Sequence, residues 1–116
     1  MKKEFILEFL LDDGLTNISE IKTNDKGIFN LKFRYEFNDY EIEAAESYAK
    51  DMIGELKDIN KKELKTQFLK EIAMDEVDQI LDELEEEVDI KKIIYKIEKE
   101  CIIDRNYIEF IVEINL

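Results

Sequence analysis

With 116 residues, no histidine, one cysteine and three glycines, the chain lacks the materials of most familiar catalytic sites. It can build no Ser-His or Cys-His nucleophile pair, no imidazole base, no HExxH zinc site, no internal disulfide, and no GxGxxG or GxxxxGK[ST] phosphate loop. A formal net charge of −13 disfavours nucleic acid and anionic membranes as direct partners and favours a basic protein.

The length fits one domain, residues 1–116, and the 45% hydrophobic content is enough for a core of its own. No apolar run is long enough to cross a membrane. The N-terminal run Phe5-Ile6-Leu7-Glu8-Phe9-Leu10-Leu11 is interrupted by Glu8 and closed by Asp12-Asp13 without a small-residue cleavage site, so it does not read as a signal peptide. The expected location is cytoplasmic, in keeping with Cys101 as the single thiol. Lys outnumbers Arg fifteen to two and Ile and Asn are abundant, a bias that fits AT-rich coding in a bacterium or phage.

In chain order, residues 3–11 read as a strand closed by the turn Asp12-Asp13-Gly14. A weaker strand follows at 15–22, then a turn at Asn24-Asp25-Lys26-Gly27, with Gly27 free to take positive φ. Over 28–37, Phe29, Leu31, Phe33, Tyr35 and Phe37 alternate with Asn30, Lys32, Arg34 and Glu36. These three strands are expected to form an antiparallel meander. The aromatic face reads as core; a base-stacking platform would need a basic groove beside it, and Lys32 and Arg34 point the other way.

The period then becomes helical. Asn38 or Asp39 is placed to cap a helix with the apolar stripe Ile42, Ala45, Ala49, Met52, Ile53 and Leu56, with Lys57, Lys61 and Lys62 near its end. Leu64, Phe68, Leu69 and Ile72 mark a second, shorter helix, with Lys61, Lys62, Lys65 and Lys70 as a solvated face. Met74-Asp75 reads as a junction with Asp75 as N-cap, and Val77, Ile80, Leu81, Leu84 and Val88 line a third helix. Residues 91–103 fit a strand or a helix; their isoleucines and the turn Asp104-Arg105-Asn106 favour a β-hairpin with the alternating segment Ile108–Leu116. The expected fold class is α+β: an antiparallel sheet, made of the N-terminal meander and the C-terminal hairpin, with two to three central helices on one face.

Carboxylate and lysine chemistry remains. Asp13 with Glu20-Ile21-Lys22 resembles the spacing of a magnesium-dependent nuclease, but Glu-x-Lys recurs at Glu55-Leu56-Lys57 and Glu63-Leu64-Lys65, as composition alone would produce. The loops at 12–14 and 24–27 lack an EF-hand ligand pattern. Cys101 reads as a small buried hydrophobe. No cofactor and no metal is implied.

The distinctive feature is an acidic helix. Asp75, Glu76, Asp78, Asp82, Glu83, Glu85, Glu86, Glu87 and Asp89 occur with no base among them. Asp75, Asp78, Asp82, Glu85 and Asp89 recur at steps of three and four, making a ridge beside the apolar stripe, with Glu86 adjoining it. The residues expected to meet a partner are Asp75, Asp78, Asp82, Glu85, Glu86 and Asp89. Lys91, Lys92, Lys96 and Lys99 are the candidates for neutralising them within the fold.

The expected function is that of a non-enzymatic acidic binding protein. It would occlude a basic partner protein, as inhibitor, immunity or anti-defence proteins do, by competing with nucleic acid. One alternative is a homo-oligomeric structural or assembly protein of a phage or mobile element, self-associating through exposed edge strands at 107–116 or through the Val77–Val88 stripe. Another is a carboxylate-dependent metal enzyme using Asp13 or Glu20.

Overall fold

The alternation that begins at Phe29 builds the centre of a four-stranded antiparallel sheet. In the computed structural model, which describes residues 2–52 and 60–116, the chain runs α1 (Lys2–Asp12), β1 (Thr16–Ile21), β2 (Ile28–Glu36), α2 (Asp39–Met52) and α3 (Lys61–Glu87). It then continues through β3 (Lys92–Cys101), the single turn α4 (Ile102–Arg105) and β4 (Tyr107–Asn115). The strand order is β1-β2-β4-β3 and every neighbouring pair is antiparallel. The fold class is α+β, as the order of periodicities implies.

Alternation decides what the sheet buries. Across the β2–β4 register, Phe29 faces Ile114, Leu31 faces Val112, Phe33 faces Phe110 and Tyr35 faces Ile108. All but Tyr35 are fully buried, and they share one core with Ile6 and Leu10 of α1, Ala45 of α2, and Leu69, Ala73, Val77, Ile80, Leu81 and Leu84 of α3. The rings of Phe33 and Phe110 stack at 5.7 Å, and Tyr95 of β3 approaches Phe110 at 6.1 Å. The opposite face of the sheet mixes charged and polar residues with Ile21, Ile94 and Ile111. There Glu109, only 13% exposed, takes Lys32 at 3.5 Å and Arg34 at 3.4 Å, while Arg34 lies over the Tyr107 ring at 4.2 Å.

The first expected strand is a helix. In a run with six apolar residues in seven, both periods fit, and tertiary packing chooses. Ile6 and Leu10, one helical turn apart, are fully buried, whereas Phe5 and Leu11 are exposed. Gly14 then ends α1 rather than turning a hairpin. At φ +96° it lets the Leu15 N–H reach the Leu10 carbonyl (3.2 Å) while its own N–H reaches Leu11 (3.1 Å). This is a Schellman closure, with Leu15 and Leu10 both buried across it. The N-terminal meander is therefore the two-stranded hairpin β1–β2. Its turn is held by the Gly27 N–H donating to the Asp25 side chain at 2.9 Å, and Gly27 does not take positive φ.

Asn38 caps α2 in a reciprocal box. Its side chain accepts the Glu41 N–H at 2.9 Å, and Glu41 accepts the Asn38 N–H at 3.0 Å. The stripe residues Ile53 and Leu56 and the basic Lys57 lie outside the described residues, and Lys61 and Lys62 belong to the first turn of α3. Asn60 caps α3 by accepting the Glu63 N–H at 2.9 Å.

The two expected helices around Met74-Asp75 are one. Leu69, Ala73, Val77 and Leu81 repeat every four residues and are all buried, so the apolar stripe passes through the expected junction without a break. Asp75 is an exposed mid-helix residue, not a cap.

The C-terminal hairpin forms as the isoleucines suggest, with Ile93, Tyr95 and Ile97 facing the core. Its connection is the turn α4, closed by Asn106 in the left-handed region at φ 59°. Because β4 lies between β2 and β3, the expected edge at 107–116 is interior, and the edges of the sheet are β1 and β3.

Candidate functional site

The apolar stripe of α3 fixes which way its acids point. Val77, Ile80, Leu81 and Leu84 face the sheet at 7% exposure or less, and the rest of the circumference is left to water. Asp75, Asp78, Asp82, Glu85 and Glu86 lie exposed on α3, together with Glu76, Glu83 and Glu87. The helix ends at Glu87, and Val88 is already extended at φ −128° and ψ 140°. Asp89 therefore stands exposed on the exit segment, just past the end of the ridge. The Val77–Val88 stripe is core and presents no interface.

None of the nine acids forms an ion pair among the described residues. The sheet explains why the nearby lysines do not relieve them. On β3 the odd positions Ile93, Tyr95 and Ile97 face the helices, so Lys92 and Lys96 project from the opposite face. The last turn of α3 carries no base, and its Glu85, Glu86 and Glu87 oppose the helix dipole. Repulsion at i,i+4, as between Asp78 and Asp82, costs about 0.2–0.5 kcal/mol per pair, which the buried stripe easily offsets.

The acidic surface is wider than the ridge. Asp13, at the end of α1, has its carboxyl pKa raised, first by local burial and then by the charges of Glu83 and Asp12. Tyr35 donates to Glu41 at 2.7 Å; burial, that hydrogen bond and the charges of Glu41 and Glu76 push its phenol well above the usual value. Asp12, Asp13, Glu41 and α3 thus contribute to one negative field. Sequence periodicity did not reveal this extension, because it joins three segments distant in the chain.

Among the described residues, Tyr95 is the one side chain bonded to the ridge from the sheet, donating to Asp78 at 2.8 Å. Burial, this hydrogen bond and the charges of Asp78, Asp82 and Asp75 push its phenol from about 10 up to about 12. A raised folded-state value means its contribution to stability is complete below about pH 10 and is lost as pH rises through about 12. Urea titrations should show stability falling over that window. Tyr95→Phe should flatten the fall and cost about 1 kcal/mol at neutral pH, where the hydrogen bond is intact.

No family model, no curated protein and no solved structure matches this chain. Its site is therefore read from its own geometry.

The carboxylates considered for metal chemistry lie apart in role. Asp13 belongs to the acidic surface, while Glu20 on β1 faces Lys3 at 3.9 Å. Among the described residues, no three Asp, Glu or Cys side chains converge as metal ligands would. Cys101 is half-buried at the end of β3. Among the described residues, no helix is long and apolar enough to cross a membrane.

Proposed function

We propose that this protein is a small binding protein that presents the outer surface of α3 to a basic partner protein and occludes it, in the manner of an inhibitor or immunity protein. The observation that carries this reading is a row of exposed acids with no ion pair among the described residues. From Asp75 to Glu87 the helix rises about 18 Å and carries eight acids, roughly one charge per 2.3 Å. Duplex DNA carries about one per 1.7 Å, so the ridge offers a nucleic-acid-binding surface a comparable charge density on a rigid rod. Such a field would steer association and make it fast and salt-sensitive.

The test is a tagged capture from a bacterial lysate at low salt, set beside a variant carrying Asp78→Asn, Asp82→Asn and Glu85→Gln. A basic protein should be retained by the original chain and lost by the variant, and binding should weaken steeply with added salt. Binding that ignores both salt and neutralisation would sink the reading.

A second reading is a homo-oligomer, favoured by the open face of the sheet. There Ile94 is 47% exposed beside half-buried Ile21 and Ile111, around a hollow of about 460 Å³ in which the Asn30 side-chain oxygen is buried without a partner. Light scattering after size exclusion would find a dimer on this reading and a monomer on the first.

A further inference from the structure

The start of α3 and the end of the β3–β4 hairpin flank a half-open cavity of about 540 Å³, within the size range of small-molecule sites. Its charge is opposite to that of the chain as a whole. Lys62 reaches it from the first turn of α3, Lys99 from β3 and Arg105 from α4. All three are exposed, and none forms an ion pair among the described residues. Among the described residues, the one acid on its wall, Glu100, is bonded to Lys70 at 2.9 Å. Thr66 and the buried Tyr107 add hydroxyl groups.

The β3–β4 register slips between Ile97 and Lys99, so that Lys99 comes opposite Glu109, Glu100 opposite Ile108 and Cys101 opposite Tyr107. The bulge takes Lys99 off the inward parity of Ile93, Tyr95 and Ile97 and leaves Glu100 on the side that meets Lys70 of α3.

We propose that this cavity binds a small phosphorylated anion. A guanidinium, two ammonium groups and hydroxyls drawn from separate elements suit a multiply charged phosphate better than a single carboxylate. The limited volume suits a compact ligand, while the overall charge of −13 turns away long polyanions. The site lies about 20 Å along α3 from the start of the acidic ridge, taken as thirteen residues from Lys62 to Asp75, so it operates independently of that surface.

Pyrophosphate titrated into the full chain at constant ionic strength, followed by calorimetry, tests the proposal, with sodium chloride as the matched control. Saturable binding is expected, weakened about tenfold or more by Lys99→Ala combined with Arg105→Ala, and unchanged by Lys61→Ala, whose lysine does not line the cavity. Cys101, the only thiol and part of the cavity wall, supplies a second readout that needs no variant. Its alkylation by neutral iodoacetamide should slow severalfold when pyrophosphate is bound. Absence of saturation, equal weakening by Lys61→Ala, or alkylation indifferent to pyrophosphate would each overturn the assignment.

Discussion

Glu76→Pro is expected to cost about 3 kcal/mol or more, although Glu76 is exposed and its side chain packs against nothing in the core. The cost is one of backbone. Position 76 lies deep within α3, so proline removes the N–H that bonds one turn back and drives its ring against the carbonyl of Ile72. The opposite result would follow if Asp75 capped a separate helix, because residue 76 would then be the first helical position, where proline is well tolerated. Urea denaturation with circular dichroism distinguishes the two. A large drop in midpoint with loss of helix supports a continuous α3, and an unchanged midpoint supports a break.

Phe110→Ala is expected to cost about 3–5 kcal/mol, the range for emptying a large aromatic site. Phe110 is fully buried, stacked on Phe33 across the register and approached by Tyr95, so the cavity would open where strands and helices meet. Natural domains of this size retain about 5–15 kcal/mol in total, which leaves the variant near its unfolding threshold at physiological temperature. Thermal unfolding should show the largest fall of any single core substitution in the sheet, with Phe110→Leu recovering most of it. A cost below about 1 kcal/mol would mean that this layer is not the centre of the core.

The strands β2 and β4 were legible because strict alternation over nine residues admits no helical interpretation. A cap at Asn38 or Asp39 was legible for a similarly local reason, and the reciprocal bonds with Glu41 select Asn38. The segment Phe5–Leu11 was not, since a nearly continuous apolar run carries no period. The signal that could have decided it is the pairing of Ile6 with Leu10 ahead of a glycine placed to close a helix. At Met74-Asp75 the aspartate suggests a cap, although Ala73 and Val77 continue the stripe through it. The acids of α3 were plain from composition. That they carry no ion pair was not, because it depends on β3 directing Lys92 and Lys96 to the far face of the sheet. The grouping of Lys62, Lys99 and Arg105 depends on long-range packing, which no local pattern encodes.

The pairing of β2 with β4 also sets a timetable for synthesis. At about 5–20 residues per second, a ribosome that has made Phe33 needs several seconds to reach Phe110, with α2 and α3 translated in between. Through that interval the sheet consists of the β1–β2 hairpin alone, and two strands by themselves are marginal in water. Phe29, Leu31 and Phe33 then have only α1, α2 and the emerging apolar side of α3 for cover. Native assembly waits for the hairpin's distant mate, so the chain folds late, and its abundance of like charges keeps unfinished copies apart in the meantime.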